Sequence, residues 1–136
     1  MVTPEEFFDG SALGLAACSR LVAFFADARP DVTVRTSTSQ VAFARRRGFA
    51  YLWRPTQYLR GPAADVALAI ARTAAMPSQR FKEVAHPSPR VWMHHLEIRA
   101  ITDLDDEVER WLLEAADEAA PDPWRFPHSG ATGTRR

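Results

Sequence analysis

Cysteine occurs once, at Cys18, so the chain has no internal disulfide and reads as the product of a reducing compartment. Lysine is also nearly absent. Lys82 is the single one, and arginine supplies the rest of the 17 basic side chains. No apolar run approaches the roughly 18 residues of a membrane span. The opening residues, Met1-Val2-Thr3-Pro4-Glu5-Glu6, are acidic, which a secretory signal is not, so a cytoplasmic chain without a membrane partner is expected. There is no Gly-x-x-x-x-Gly-Lys loop, no dinucleotide glycine fingerprint and no Gly-x-Ser-x-Gly elbow. No His-x-x-x-His helix and no cysteine pair is present either, so neither a metal nor a cofactor is expected.

The composition that remains is that of an ordinary globular domain. The 136 residues are 46% hydrophobic and 25% charged, enough for one core without staples. A single domain is expected over 1–120. An extension follows over 121–136, with a disordered tail from about residue 128 and with Trp124 and Phe126 able to fold back.

Net charge is zero but segregated. Residues 1–31 set Arg20 and Arg29 against five acids, a balance of −3. Residues 32–100 carry eleven cations against Asp65, Glu83 and Glu97, a balance of +8. Residues 101–136 carry four arginines against nine acids, a balance of −5. Two interpretations follow: an anion-binding centre flanked by acidic helices, or acidic helices packed beside a basic sheet.

Local pattern orders the elements. Thr3-Pro4-Glu5-Glu6 has a cap, a first-turn proline and a glutamate three residues on, and Asp9-Gly10 breaks that short helix. Ser11 caps a longer helix to about Ala28, with Leu15, Cys18, Val22 and Phe25 on one face and Leu21 widening it. Residues 32–36, 40–45 and 49–54 read as strands, the last two joined by a basic turn in which Gly48 supplies positive φ. Residues 65–71 alternate large and small, which favours a strand over a short helix. Residues 80–85 form an edge strand ended by His86-Pro87, and 91–99 a longer strand. Thr102 caps the last helix, with Leu104, Val108, Trp111, Leu112 and Ala115 as its buried stripe. The fold class is α+β: an antiparallel sheet of five to six strands with the N- and C-terminal helices packed on one face.

Three constellations could carry chemistry. His94 and His95 are strand neighbours and point to opposite faces, so they cannot share a metal from a regular strand. If the helices cover the Trp92, Leu96 and Ile98 side, His94 is half-buried and hydrogen-bonded, and His95 stands on the open face. The second constellation combines Arg35, Thr36, Ser37, Thr38, Ser39 and Gln40 with Arg45, Arg46 and Arg47, a set able to hold a phosphate or to be only a solvated turn and hairpin tip. The third is aromatic: Phe43, Phe49, Tyr51, Trp53, Tyr58, Phe81 and Trp92, core residues or, where exposed, stacking platforms.

Several stretches resemble the small bacterial proteins grouped as domain of unknown function 5655. They are Val34-Arg35, Ser39-Gln40-Val41-Ala42-Phe43, Arg47-Gly48-Phe49-Ala50, Trp53-Arg54-Pro55, Arg80-Phe81-Lys82-Glu83-Val84, Met93-His94-His95 and Asp103 to Leu112. The resemblance spans about residues 7–119, with Thr38 where that family is expected to have lysine. It implies a compact α+β domain and assigns no catalytic residue. A fainter similarity to YjbR-type domains implies DNA binding.

The functional expectation is a non-enzymatic binding module for an anionic small molecule or nucleic acid. Its basic sheet face would carry Arg35, Ser39, Arg45, Arg47, Arg54, Lys82, His95 and Arg99. The alternatives are a small-molecule enzyme using His95 or His94 with arginine, and a homodimeric interaction domain.

Overall fold

The computed structural model describes residues 2–57 and 63–120. The expected extension over 121–136, Trp124, Phe126 and the tail from residue 128 included, lies outside the described residues, as does Tyr58.

Helix α1, Pro4–Phe7, begins at a reciprocal cap. The Glu6 N–H donates to the Thr3 hydroxyl at 3.1 Å, and the Thr3 N–H donates to the Glu6 carboxylate at 2.9 Å. The chain turns at Gly10, whose φ of 83° suits glycine. Helix α2, Ala12–Ala28, starts where the Ser11 hydroxyl accepts the Gly14 N–H at 3.0 Å. Gly14 is needed for contact rather than for torsion, because a Cβ there would run into the Phe8 ring.

Six strands follow: β1 Thr33–Thr36, β2 Val41–Ala44, β3 Gly48–Trp53, β4 Val66–Arg72, β5 Glu83–Ser88 and β6 Val91–Ile98. They form one antiparallel sheet in the order β1-β2-β3-β4-β6-β5. Helix α3, Asp106–Glu118, closes the described chain. No helix among the described residues is long and apolar enough to cross a membrane.

Both long helices cover the same face. Phe25 of α2 meets Phe43 and Phe49 with ring centroids 5.6 and 5.4 Å apart. Trp111 of α3 meets Phe81, which lies against His94 of β6, each pair at 4.8 Å. The strands answer with every second residue: Val41 and Phe43, Leu52, Val66, Leu68 and Ile70, then His94, Leu96 and Ile98, all buried.

Four local readings need correction. Val22 is 39% exposed, and the buried line of α2 runs through Gly14, Ala17, Cys18, Leu21 and Phe25. The helix is apolar nearly all round, so hydropathy alone could not choose its face. Gly48 lies inside β3 without positive φ; the turn closes before it, with the Arg45 N–H on the Arg47 carbonyl at 3.1 Å. A register shift at Phe43/Ala44 leaves one extra residue on β3 and turns both Phe49 and Ala50 inward. The C-terminal helix is capped by Asp105, not Thr102: the Asp105 carboxylate accepts the Val108 N–H at 3.1 Å after a 3₁₀ turn over Ile101–Asp103. Finally, β5 starts at Glu83 and passes through Pro87, which an edge strand with a register shift between Ala85 and Ser88 accommodates.

Cys18 is a core residue. Burial, with help from Glu5, pushes its thiol up to about 11, so it carries no thiolate at neutral pH.

Candidate functional site

The face of the sheet away from the helices is set by the residues between the buried ones. Register aligns Arg35, Ala42, Tyr51, Ala69, His95 and Glu83 in one row across all six strands. Beside it, Trp53 pairs Ala67, which pairs Glu97; on the other side, Ala71 pairs Met93, which pairs Ala85. Alanine at 42, 67, 69 and 71 keeps the middle of the face low. Larger side chains stand round it and leave a groove of about 500 Å³, a size suited to a small molecule. Ala69 is its floor; Tyr51, Trp53, Met93 and His95 are its walls; Ser39 and Gln40 of the β1–β2 turn form its rim. A smaller hollow of about 70 Å³ adjoins it, between Trp53, His95, Lys82 and Glu97.

Gly48 helps to shape the wall. A Cβ at this position would overlap the Tyr51 hydroxyl, so the tyrosine side chain reaches back over a position only glycine leaves free. Burial pushes the Tyr51 phenol up, so it is neutral at physiological pH.

The two histidines part company as strand alternation requires. His94 is 0% exposed. Its Nε2 accepts the Met76 N–H at 2.9 Å, so its Nδ1 carries the proton and donates to the Ile70 carbonyl at 3.2 Å. Burial, offset in part by the Ile70 bond and reinforced by Arg72, holds it below the usual histidine range. It is a neutral, satisfied structural group. His95 is half-buried, edge-on to Trp53 at 6.0 Å. Its Nδ1 is buried and has no hydrogen-bond partner among the described residues, which leaves Nε2 as the end a ligand can reach.

The expected gathering of cations on this face does not occur. Arg45 turns to the helix side, donating to Asp31 at 2.9 Å, to Asp117 at 3.3 Å and to the Ala116 carbonyl at 3.2 Å. Arg54 donates to the carbonyls of Phe7 and Asp9 at 3.2 and 2.8 Å. Lys82 and Arg99 share Glu97, at 3.0 and 3.1 Å. Arg47 is exposed at the hairpin tip, and Ser39 is exposed with its hydroxyl 3.2 Å from that of Ser37. Of the eight positions expected to form a binding face, Ser39 and His95 line the groove, and Arg35 stands on their face at its β1 edge. Arg35 is exposed and has no ion pair among the described residues.

The pairing has a simple cause. The acidic helices lie against the basic sheet, so the segregated charges meet. Arg72 binds Glu114 and Glu118 at 3.0 and 3.1 Å, Arg80 binds Asp105 and Glu107 at 3.0 and 2.8 Å, and Arg29 binds Asp117 at 2.8 Å. Hydrogen bonds from Arg29 hold the Asp117 carboxyl below its usual range, and those from Lys82 and Arg99 do the same for Glu97.

The aromatic set also divides. Phe43, Phe49 and Phe81 are core, and Trp92 stacks on His86 at 3.7 Å, away from the groove. Tyr51 and Trp53 stand at the groove. Gln40, part of the hydroxyl and arginine set read from the sequence, lines the groove, whereas Ala69 and Met93 were not among the residues singled out for a site. The signal for Ala69 was the alternation of residues 65–71, whose small members mark the low face as surely as the large ones mark the core. Among the described residues there is no group of three or more metal-ligating side chains.

No curated protein and no solved structure matches the chain. The similarity to YjbR-type domains is not shown by these comparisons. A family match does cover nearly the whole globular part, both long helices and all six strands, over residues 5–118. The chain belongs to the family described as Domain of unknown function (DUF5655).

Proposed function

We propose that the protein is a non-enzymatic binding module that takes a small organic molecule in the groove over Ala69. The observation that carries this reading is the groove itself: an apolar floor and aromatic walls with one reachable imidazole nitrogen, on a sheet face that no helix covers among the described residues. A flat apolar body fits over Ala69 against Met93 and Trp53, while His95 Nε2 and the Gln40 amide offer hydrogen bonds that fix its orientation.

Binding is favoured over catalysis by His95 for a geometric reason. A general base is held in place by a second group on its other nitrogen. His95 Nδ1 has no such partner among the described residues. His94, satisfied at both nitrogens and fully buried, has no proton to exchange with a substrate. A nucleic-acid partner needs a track of cations free to release counter-ions, and here most of the central cations already hold carboxylates or carbonyls. A homodimer through an apolar patch has little support, since Val22, Val34 and Val84 are exposed on three separate elements.

A fragment library screened by ligand-observed NMR tests the reading. Ala69→Leu fills the groove from its floor, and His95→Ala removes its reachable nitrogen. Fragments that bind the parent chain and are lost from the Ala69→Leu variant support it. Hits indifferent to both substitutions, or no hits at millimolar concentration, overturn it.

A further inference from the structure

We propose that the ligand class is a flat aromatic carboxylate, its ring over Ala69 and its carboxylate held by Arg35. This rests on the groove reading above and adds the charge and direction of the ligand.

Direction follows from the row that crosses the sheet. Arg35 stands at one end, on β1, and Glu83 at the other, on β5, with Ala42, Tyr51, Ala69 and His95 between them. The opposite charges impose a field along the row. A ligand acid is repelled from the Glu83 end and drawn toward β1. Strands lie about 4.8 Å apart, so Arg35 is roughly 14 Å from the groove floor, three strands away. An extended arginine side chain covers roughly half of that distance, and a carboxylate on a two-ring body covers the rest.

The path is open. Ala42 is the one residue of the row between Arg35 and Tyr51, so the guanidinium can lie low across β2 toward the groove. The same end of the groove carries Ser39 and Gln40, a hydroxyl and an amide able to donate to a second oxygen.

Arg35 is also the cation left for this task. Lys82 and Arg99, the other basic groups near the face, are both committed to Glu97. Arg45, which follows β2, is bound to Asp31 and Asp117 beneath the sheet. Arg35 has no carboxylate among the described residues. Its planar fork suits a carboxylate taken through both oxygens.

The test uses three probes with the same ring: 2-naphthoate, 2-naphthamide and 2-naphthylmethylamine. Each is titrated into the full chain at low salt by calorimetry, with Arg35→Gln, Arg35→Lys and Ala69→Leu as variants. Arg35 is exposed on an edge strand, and an unchanged melting temperature in its variants shows that the fold is kept. The proposal expects the acid to bind about tenfold more tightly than the amide, the worth of one charge-assisted contact. Arg35→Gln should remove that preference and leave the amide unchanged, Arg35→Lys should keep part of it, and Ala69→Leu should weaken acid and amide together. An acid preference that survives Arg35→Gln, or tighter binding of the amine, overturns the carboxylate proposal while the groove reading stands. No binding by any probe, or binding untouched by Ala69→Leu, overturns both.

Discussion

Leu68 and Ala69 are neighbours on β4, and they show how differently one sheet treats its two faces. Leu68 points at the helices and is fully buried among Leu52, Leu96 and the helix side chains. Ala69 points the other way and is also nearly buried, yet what surrounds it is Tyr51, Trp53, Met93 and His95 rather than another layer of structure. The covered face is filled by large side chains to core density, which is where the stability resides. The open face keeps its small residues in the middle and its tall ones around them, which leaves a concavity. The histidine pair repeats the lesson at one remove: His94 is sealed and fully hydrogen-bonded, while His95 keeps one nitrogen reachable.

That contrast is open to measurement, most severely through the core. Leu68→Ala should cost about 2–5 kcal/mol, as buried leucine truncations do, read as a lower urea midpoint. His95→Ala, on the opposite face, should move that midpoint by less than about 1 kcal/mol, since it removes no hydrogen bond. Equal losses would mean the open face is a second core and not a site.

The clamp between sheet and α3 comes next. Arg72→Met removes the donors to Glu118 and Glu114 from a side chain that is 13% exposed. The expected loss is about 1.5–3 kcal/mol, the range for hydrogen bonds to charged groups. High salt should leave most of it in place, because this pair is screened less than a surface pair.

Acid should act through the covered face. His94 titrates below its ordinary value of 6.5 in the folded chain, so the unfolded chain binds the proton first. The stability contribution of neutral His94 is therefore complete above about pH 6.5 and is lost as pH falls through the folded value. His94→Gln should flatten that part of the profile, while the steeper loss at lower pH remains. That lower loss belongs to carboxylates such as Asp117 and Glu97, whose values are depressed by their basic partners. A His95→Gln variant that flattens the same segment instead would reverse the assignment of the two rings.

The smallest effect is also the most specific. Gly48→Ala should destabilise by about 1 kcal/mol, because the new methyl group and the Tyr51 hydroxyl claim the same space. In a Tyr51→Ala background the same change should be neutral or stabilising, since alanine is then the better strand residue. A cycle with no coupling between the two positions would separate Gly48 from the groove wall.

Much of this was legible in the chain. The alternation of residues 65–71 and 91–98 grouped the residues of each face and set His94 and His95 in opposite directions, while which face the helices cover was left to the fold. The acid-rich last helix declared its stripe through Leu104, Val108, Trp111, Leu112 and Ala115, all buried. Such patterns survive because helix and strand periods are local properties of the backbone. Helix α2 shows the limit: with apolar residues on nearly every side, nothing in its own sequence told Val22 from Leu21. Gly48 shows another. Its glycine reads as a turn residue, and the need for it comes from a tyrosine three positions on, whose direction depends on the register shift beside it.

Charge is where sequence and structure separate most clearly. Composition along the chain sets a basic middle between two acidic flanks, and that segregation is a property of residue order alone. Whether those cations face solvent together or meet the flanking carboxylates depends on which surfaces the fold brings within a few ångströms. Helix α3 lies across the sheet with Glu114 and Glu118 beside Arg72, Asp117 beside Arg45 and Glu107 beside Arg80, so part of the central charge is used internally. Coulomb attraction falls with distance and with screening, so contact made by folding, rather than order in the chain, left Arg35 without an ion pair among the described residues.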